Sequence, residues 1–239
     1  MDDYDAGNSS NCYREDVSGS FFYKTWLIRF VSGLSCAGSI LGSSLIILSY
    51  ICFRRLRTKV REILFHLSVA DFGVATANLI GAVVYFDQYY HPICDSSGNV
   101  ISIHTPSRAI QNLCTAQAFF ALYFTISSIL WTMSLAGYLY FVLVHHGTQH
   151  AKMFLTFSYI FCYGMPLLVS LWPALTRRLG YSPYNSAGWC TVILVDPTTG
   201  VRDIYMGVVG YDLWIYLALV LVTVLYVAMK TFLRGEVRL

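Results

Sequence analysis

Charge is what this 239-residue sequence has least of: only 12% of its residues are Asp, Glu, Lys or Arg, about half of the roughly 25% usual in soluble domains. With a formal net charge of +3 and no basic run interleaved with aromatics, nothing points to nucleic acid as a partner. A glycine-rich phosphate loop is missing, and so is any paired-cysteine metal spacing. No His-Glu-x-x-His, Gly-x-Ser-x-Gly or paired-Asp pattern occurs either, which argues against an enzyme embedded in the membrane. Neither a cofactor nor a metal is expected. The start, MDDYDAGNSSNCYRED, is acidic and polar and lacks the basic and apolar stretches of a cleavable leader, so the first apolar segment is expected to stay in the chain as an anchor.

Apolar residues fill the space that charge leaves. They make up 56% of the chain, and the mean hydropathy is +0.56. Five long apolar segments stand out, at about 27–53, 63–86, 113–144, 153–175 and 204–230. Each exceeds the roughly 20 residues a helix needs to cross a hydrocarbon core. The expected fold is therefore an all-α integral membrane protein: an outer tail over 1–25, a transmembrane domain over 26–232 and a short inner tail over 233–239. The third segment is long enough to tilt or project from the bilayer. Pro166 falls within the fourth, where neighbouring helices must satisfy the backbone groups it frees.

Lys and Arg set the orientation. The loop RRLRTKVRE carries Arg54, Arg55, Arg57, Lys59 and Arg61; Lys152 lies between segments 3 and 4; Lys230, Arg234 and Arg238 follow segment 5. The positive-inside rule puts these in the cytoplasm and the N-terminus outside, in the plasma membrane, with Arg177 and Arg178 running against it in a long loop. Asn8-Ser9-Ser10 is a glycosylation sequon on the outer side. Of seven cysteines, Cys36, Cys52 and Cys162 lie in helices. Cys12, Cys94, Cys114 and Cys190 fall outside, where disulfides persist, and residue positions alone leave three connectivities open.

A few polar residues interrupt the apolar pattern. Asp71 sits in LSVADFGVAT, at a depth where a charge costs roughly 2.5–3.5 kcal/mol. The functional reading is a polar hub joining helices 2 and 3, with Ser68, Ser127, Ser128 and Ser134 as partners; the bland reading is a protonated acid bonded to one neighbour. Asp212 is either a ligand-pocket acid or an acid reaching the outer surface, and Trp131 either a pocket floor or packing. His145, His146 and His150 lack a carboxylate or cysteine to complete a metal site and read as a solvated loop. The basic loop, with Arg55, Arg57, Lys59 and Arg61, anchors to anionic lipid and is a candidate contact for a partner on the inner side.

Helix 2 reads LSVADFGVA, helix 3 CTAQAFFALYFTISSILWTMSLAGYLYFVLV, and helix 4 with its loop YGMPLLVS, RRLGY and GWC. In this order the segments resemble the G-protein coupled receptor 157 group, which lies near the secretin receptors and the slime-mould cyclic-AMP receptors. The resemblance runs from about Leu64 to Lys230. Ser127-Ser128…Trp131-Thr132, Tyr138-Leu139-Tyr140 and Gly188-Trp189-Cys190 carry most of it.

The resemblance implies a receptor-like bundle, here the first five helices of a seven-helix architecture. It also implies a Cys114–Cys190 bridge pinning the outer loop over the bundle, with Cys12 and Cys94 as candidates for a second bridge. The candidate pocket is Asp212, Trp131 and Trp189. Implied partners are an extracellular ligand, membrane lipid and, given helices 6 and 7, a heterotrimeric G protein. The sequence departs from the pattern in three ways. It stops after helix 5. Helix 3 has no Asp-Arg-Tyr triplet, and Ala136 stands before Gly137 where secretin-type receptors place an acid. The outer loop over 87–112 is long and holds Cys94. The alternatives are a truncated receptor that pairs with other helices without signalling, and a small transporter or channel; the latter should show an internal repeat, and none is visible.

The loop charges give the first testable expectation. In intact cells an N-terminal tag should bind antibody without permeabilisation and a C-terminal tag only after it; the reverse staining would overturn the orientation.

Overall fold

The computed structural model describes residues 19–53, 55, 58–84, 92–94, 100–103, 106–144, 148–181, 189–194, 203 and 207–236. Helix α1 spans Gly19–Cys52 and α2 Lys59–Val84. An antiparallel pair follows, β1 (Pro92–Cys94) with β2 (Val100–Ile103). Helix α3 runs over Arg108–Val144 and α4 over Thr148–Leu175. A second short pair, β3 (Leu179–Gly180) with β4 (Thr191–Val192), precedes a π-helical turn at Val208–Asp212 and helix α5, Leu213–Glu236. Among the described residues, five helices are long and apolar enough to cross a membrane.

The all-helical membrane architecture expected from the five apolar runs is what forms. In hydrocarbon only structures that satisfy their own backbone polar groups persist. The helices α2, α3 and α4 begin four or five residues before the apolar runs do, because their first turns are polar and sit at the interface. At the start of α2, Thr58 acts as the cap: its Oγ1 accepts from the Arg61 N–H at 3.4 Å. The short hairpins fall in outer loops, where strand pairing gives exposed backbone groups their partners.

Helix α3 is the pillar. It packs against α2, α4, α5 and both strands of the second hairpin. Its buried side chains, Ala118, Leu122, Ile126, Leu130 and Trp131 among them, run through the core. At 37 residues it is roughly 55 Å long, well beyond a hydrocarbon core of about 30 Å, so it tilts or projects. Close approach of α2 depends on small residues. Ala70, Gly73, Ala75 and Ala77 are buried, and a Cβ on Gly73 would collide with the Phe124 ring of α3. By contrast, only 6% of the spanning stretches of α1 and α5 is buried within the chain, against 39% for α2 and α3. Most of the surface of α1 and α5 is therefore left uncovered by the other described residues.

Two polar contacts repair helix backbone. Arg29 of α1 donates from Nε to the Ala82 carbonyl at 3.3 Å and from Nη2 to the Val83 carbonyl at 3.2 Å. These belong to the last turn of α2, where carbonyls lack intrahelical partners and a cation meets the negative end of the dipole. In α4, Pro166 has no N–H for the carbonyl four residues back. That carbonyl belongs to Cys162, and Ser127 Oγ of α3 donates to it at 3.1 Å.

Helix α4 stops in a turn of the Schellman type. Arg177 takes a left-handed φ of 55°, its N–H donates to Ala174 O at 3.1 Å, and the Arg178 N–H donates to Pro173 O at 2.7 Å. The chain is thereby turned straight into β3.

The Ser127 repair is measurable. Ser127→Ala should lower stability in detergent micelles by about 0.6–1.7 kcal/mol, the range found for hydrogen bonds between membrane helices. In a Pro166→Ala background the substituted alanine brings an N–H of its own to serve the Cys162 carbonyl, so there Ser127→Ala should cost markedly less. Equal costs in both backgrounds would show that Ser127 does not compensate for the proline.

Candidate functional site

Polar side chains gather at three levels of the bundle. The middle level holds Asp71. It lies twelve residues beyond Lys59 and thirteen before Val84, so roughly 18–20 Å of helix separates it from either end of α2. Because α2 begins earlier than its apolar run, the acid is deeper than the run's boundary implied. Ser128 Oγ of α3 donates to Asp71 Oδ1 at 2.6 Å. That is the carboxylate's single hydrogen bond among the described residues, and both side chains are half-buried.

The wider hub expected around Asp71 does not assemble. Ser127 turns to α4, as described above. Ser134, two turns further along the same face, places Oγ 3.2 Å from Cys162 Sγ. A residue seven positions from Ser127 returns to the α4 side of α3, away from α2. Ser68 is buried on α2, but no hydrogen bond joins it to Asp71.

The inner level is an aromatic and polar cluster between α2, α3 and α4. Trp131 is fully buried; it stacks on His66 with centroids 4.9 Å apart and meets Tyr159 and Tyr163 edge-on at 5.4 and 5.6 Å. His66 Nδ1 and Tyr163 Oη share a 2.7 Å hydrogen bond. One turn nearer the start of α2, Glu62 accepts from Tyr159 Oη and from Lys59 Nζ, the latter at 2.7 Å. Glu62 is the acid of α2's first turn, where negative charge suits the dipole. The sequence carries a signal for this cluster: Glu62/His66 and Tyr159/Tyr163 are both pairs one helical turn apart, at matching depth on their helices.

The outer level is set by a disulfide. Cys114, in the second turn of α3, is bonded to Cys190, with Cα atoms 5.4 Å apart. Beside it the Cys190 N–H donates to Gln117 Oε1 at 3.0 Å, within the buried interior. Trp189 lies over α2: a Cβ on Gly81 would come within 2.8 Å of the Trp189 Cβ. The loop is thus held to α3 by a covalent bond and a hydrogen bond, and seated on α2 where Gly81 leaves room.

The proposed pocket of Asp212, Trp131 and Trp189 is not brought together. Trp131 is seventeen residues below Cys114 on α3, roughly 25 Å of helix, and serves as packing. Asp212 is exposed at the outer start of the fifth crossing, in the π-turn whose Val209 carbonyl accepts from Trp214 Nε1 at 2.9 Å. Of the inner basic residues, Lys59 is paired with Glu62, while Arg55 and Arg61 are exposed. Asn8, Cys12, Arg57, His145 and His146, and the side chains of Cys94 and His150, lie outside the described residues. No group of three metal-ligating side chains occurs among the described residues.

A loop pinned by a disulfide over a helix bundle with an acid at mid-depth is the architecture of a seven-helix membrane receptor. The family model for the 7 transmembrane receptor (Secretin family) matches residues 25–193, and the chain belongs to that family. It is 28% identical over 204 residues to mouse G-protein coupled receptor 157, covering 84% of this chain and 54% of that protein. The human protein of the same name is 29% identical, with 84% and 53% covered. Cyclic AMP receptor-like protein A of Dictyostelium discoideum is 26% identical over 70% of this chain and 36% of its own length. The crystal structure of squid rhodopsin matches 95% of this chain and 56% of its own with a TM-score of 0.64 at 12% identity, a likeness of fold. The chain spans about half the length of the receptor 157 proteins it matches.

The inner cluster yields a double-mutant cycle. Tyr159→Phe and Glu62→Gln should each lower thermal stability in micelles, with a coupling of about 0.6–1.7 kcal/mol between them. Additive effects would mean that the two side chains do not act as a pair.

Proposed function

We propose that the protein is a G-protein coupled receptor of the plasma membrane, with its N-terminus outside, which senses an extracellular ligand and signals to a heterotrimeric G protein. Membership of the receptor family makes a receptor role the natural reading. The observation that carries it for this chain is Asp71. A carboxylate with one hydrogen bond, held at mid-membrane between two packed helices, is costly to keep and is expected where helices exchange partners. A ligand that favours one of two helix arrangements would act on it from the outer level, and the inner loops would report the change.

Within that reading, Asp71 is the hub and Ser128 its partner on α3. The pinned loop with Trp189 forms part of the outer mouth, and Asp212 faces the same side. Asn8 is the candidate glycosylation site, Cys12 and Cys94 the candidate second bridge, and Arg55, Arg57, Lys59 and Arg61 the candidate contacts for lipid or the G protein. Signalling belongs to a seven-helix form of the protein, and its test belongs there too.

In that form Asp71→Asn should keep surface expression and alter signalling. Asp71→Leu should keep surface expression as well, since the Ser128 hydroxyl can turn back to its own helix carbonyls, while changing signalling more. If both variants signal like the parent, the hub role is wrong.

A further inference from the structure

The approach to α2 reads Arg54-Arg55-Leu56-Arg57-Thr58-Lys59-Val60-Arg61. One hydroxyl, that of Thr58, stands among these cations: Arg55 lies three residues before it, Arg57 and Lys59 on either side, and Arg61 three residues after. No acid falls within three residues of it. Thr58 is exposed. Its Oγ1 accepts from the Arg61 N–H, and its own O–H has no acceptor among the described residues. Thr231, by contrast, lies in the spanning stretch of α5 and donates to the Ala228 carbonyl at 2.9 Å. Thr58 shares a side of α2 with Glu62 and Phe65, four and seven residues on. That side is flanked by Tyr50 of α1, stacked on Phe65 at 4.8 Å, and by Tyr159 of α4, bonded to Glu62. The surroundings of Thr58 are therefore set by α1, α2 and α4, and not by anything beyond α5.

We propose that Thr58 is a phosphorylation site for a protein kinase that selects basic sequences. Kinases choose substrates by charge pattern, setting acidic pockets against cations that flank the hydroxyl. An exposed threonine with cations on both sides and no acid nearby presents that pattern. In the transfer, Thr58 Oγ1 bonds to the γ-phosphorus of ATP as the bond from that phosphorus to the β-phosphate oxygen breaks; ADP leaves, and the hydroxyl proton passes to the kinase's carboxylate base. The product suits its place: about two negative charges arrive at the N-terminal end of α2, where first-turn N–H groups and the helix dipole favour an anion. The phosphate also stands one turn before Glu62 and competes with it for Lys59, which ties the modification to the inner contact between α2 and α4. That the kinase is cytosolic rests on the orientation proposed above; the chemistry at Thr58 does not.

The test is phosphate transfer from ATP to the 239-residue chain in phosphatidylserine-doped micelles, by protein kinase C and by the cyclic-AMP-dependent kinase in separate reactions, with the modified residue read by peptide mass spectrometry. Micelles expose both ends of the protein, so orientation in a cell has no bearing on the result. Phosphate should appear on Thr58 with at least one of the two kinases. Thr58→Asn keeps a good helix cap, so the fold is retained, and should lose that phosphate; Thr58→Ser should keep it. Arg55→Gln should slow incorporation about tenfold, as loss of one cation from a charge-matched contact. Lys152→Gln, which removes an exposed cation from α4, should leave the rate unchanged. No phosphate on Thr58 with either kinase, undiminished phosphate in Thr58→Asn, or equal slowing by Lys152→Gln would each overturn the site.

Discussion

Two adjacent hydroxyls organise this bundle. Ser127 and Ser128 are neighbours on α3, and consecutive positions on a helix point about 100° apart. One therefore reaches the Cys162 carbonyl of α4 and the other the Asp71 carboxylate of α2. Each answers a need that lipid cannot meet: a carbonyl orphaned by Pro166, and an acid at mid-depth. In a membrane the hydrophobic effect does not drive helices together, because lipid tails are as apolar as leucine. Relative placement of α2, α3 and α4 then depends on close packing at small residues and on a few polar contacts such as these. Gly73 against Phe124 supplies the packing beside Asp71.

Much of the architecture was legible because the bilayer is so restrictive a solvent. Apolar runs of adequate length have one stable form there, so the five helices could be read directly, as could the need for something to satisfy the carbonyl freed by Pro166. The Cys114–Cys190 bond was legible only through resemblance, since four outer cysteines leave the pairing open by themselves. What escaped was direction around a helix axis. A list of serines near Asp71 in depth does not say which face each occupies; Ser134 proved to face Cys162, and Ser68 made no bond to the acid. Depth also separates the expected pocket of Asp212, Trp131 and Trp189, since Trp131 lies seventeen residues along α3 from the Cys114 that holds the Trp189 loop. The strands at Pro92–Cys94 and Val100–Ile103 escaped too, being too short to show an alternating pattern.

The outer and inner ends of the bundle are secured by different means, and the difference bears on how it can move. At the outer end the contacts are covalent or many: the disulfide, the Gln117 bond to Cys190, the β3–β4 pair and the Arg29 cap on α2. Of these, the disulfide is covalent and the strand pair is backbone to backbone, and neither is exchanged by a rotamer change. At the inner end α2 is joined to α4 by side-chain hydrogen bonds of Glu62 and His66 to two tyrosines. Such bonds can be broken and remade with a rotamer change, so the bundle has a rigid outer end and an exchangeable inner one.

Beside that contact, α3 meets α4 by packing. Receptors of the secretin type carry an acid on α3 just before a glycine, and here the position is Ala136. At the adjacent Gly137 a Cβ would lie 2.6 Å from the Phe154 ring of α4. The ring fills the space beside the glycine, so the inner part of α3 meets α4 through packing rather than through charge. At this end of the bundle α2 carries an acid of its own, Glu62, in the first turn where the helix dipole favours it and where Lys59 and Tyr159 both reach it. From there it joins α2 with α4, across the buried Trp131 of α3. Trp131 touches both sides of that contact, stacking on His66 of α2 and meeting Tyr159 and Tyr163 of α4 edge-on, so the Glu62 contact sits beside the core of α3.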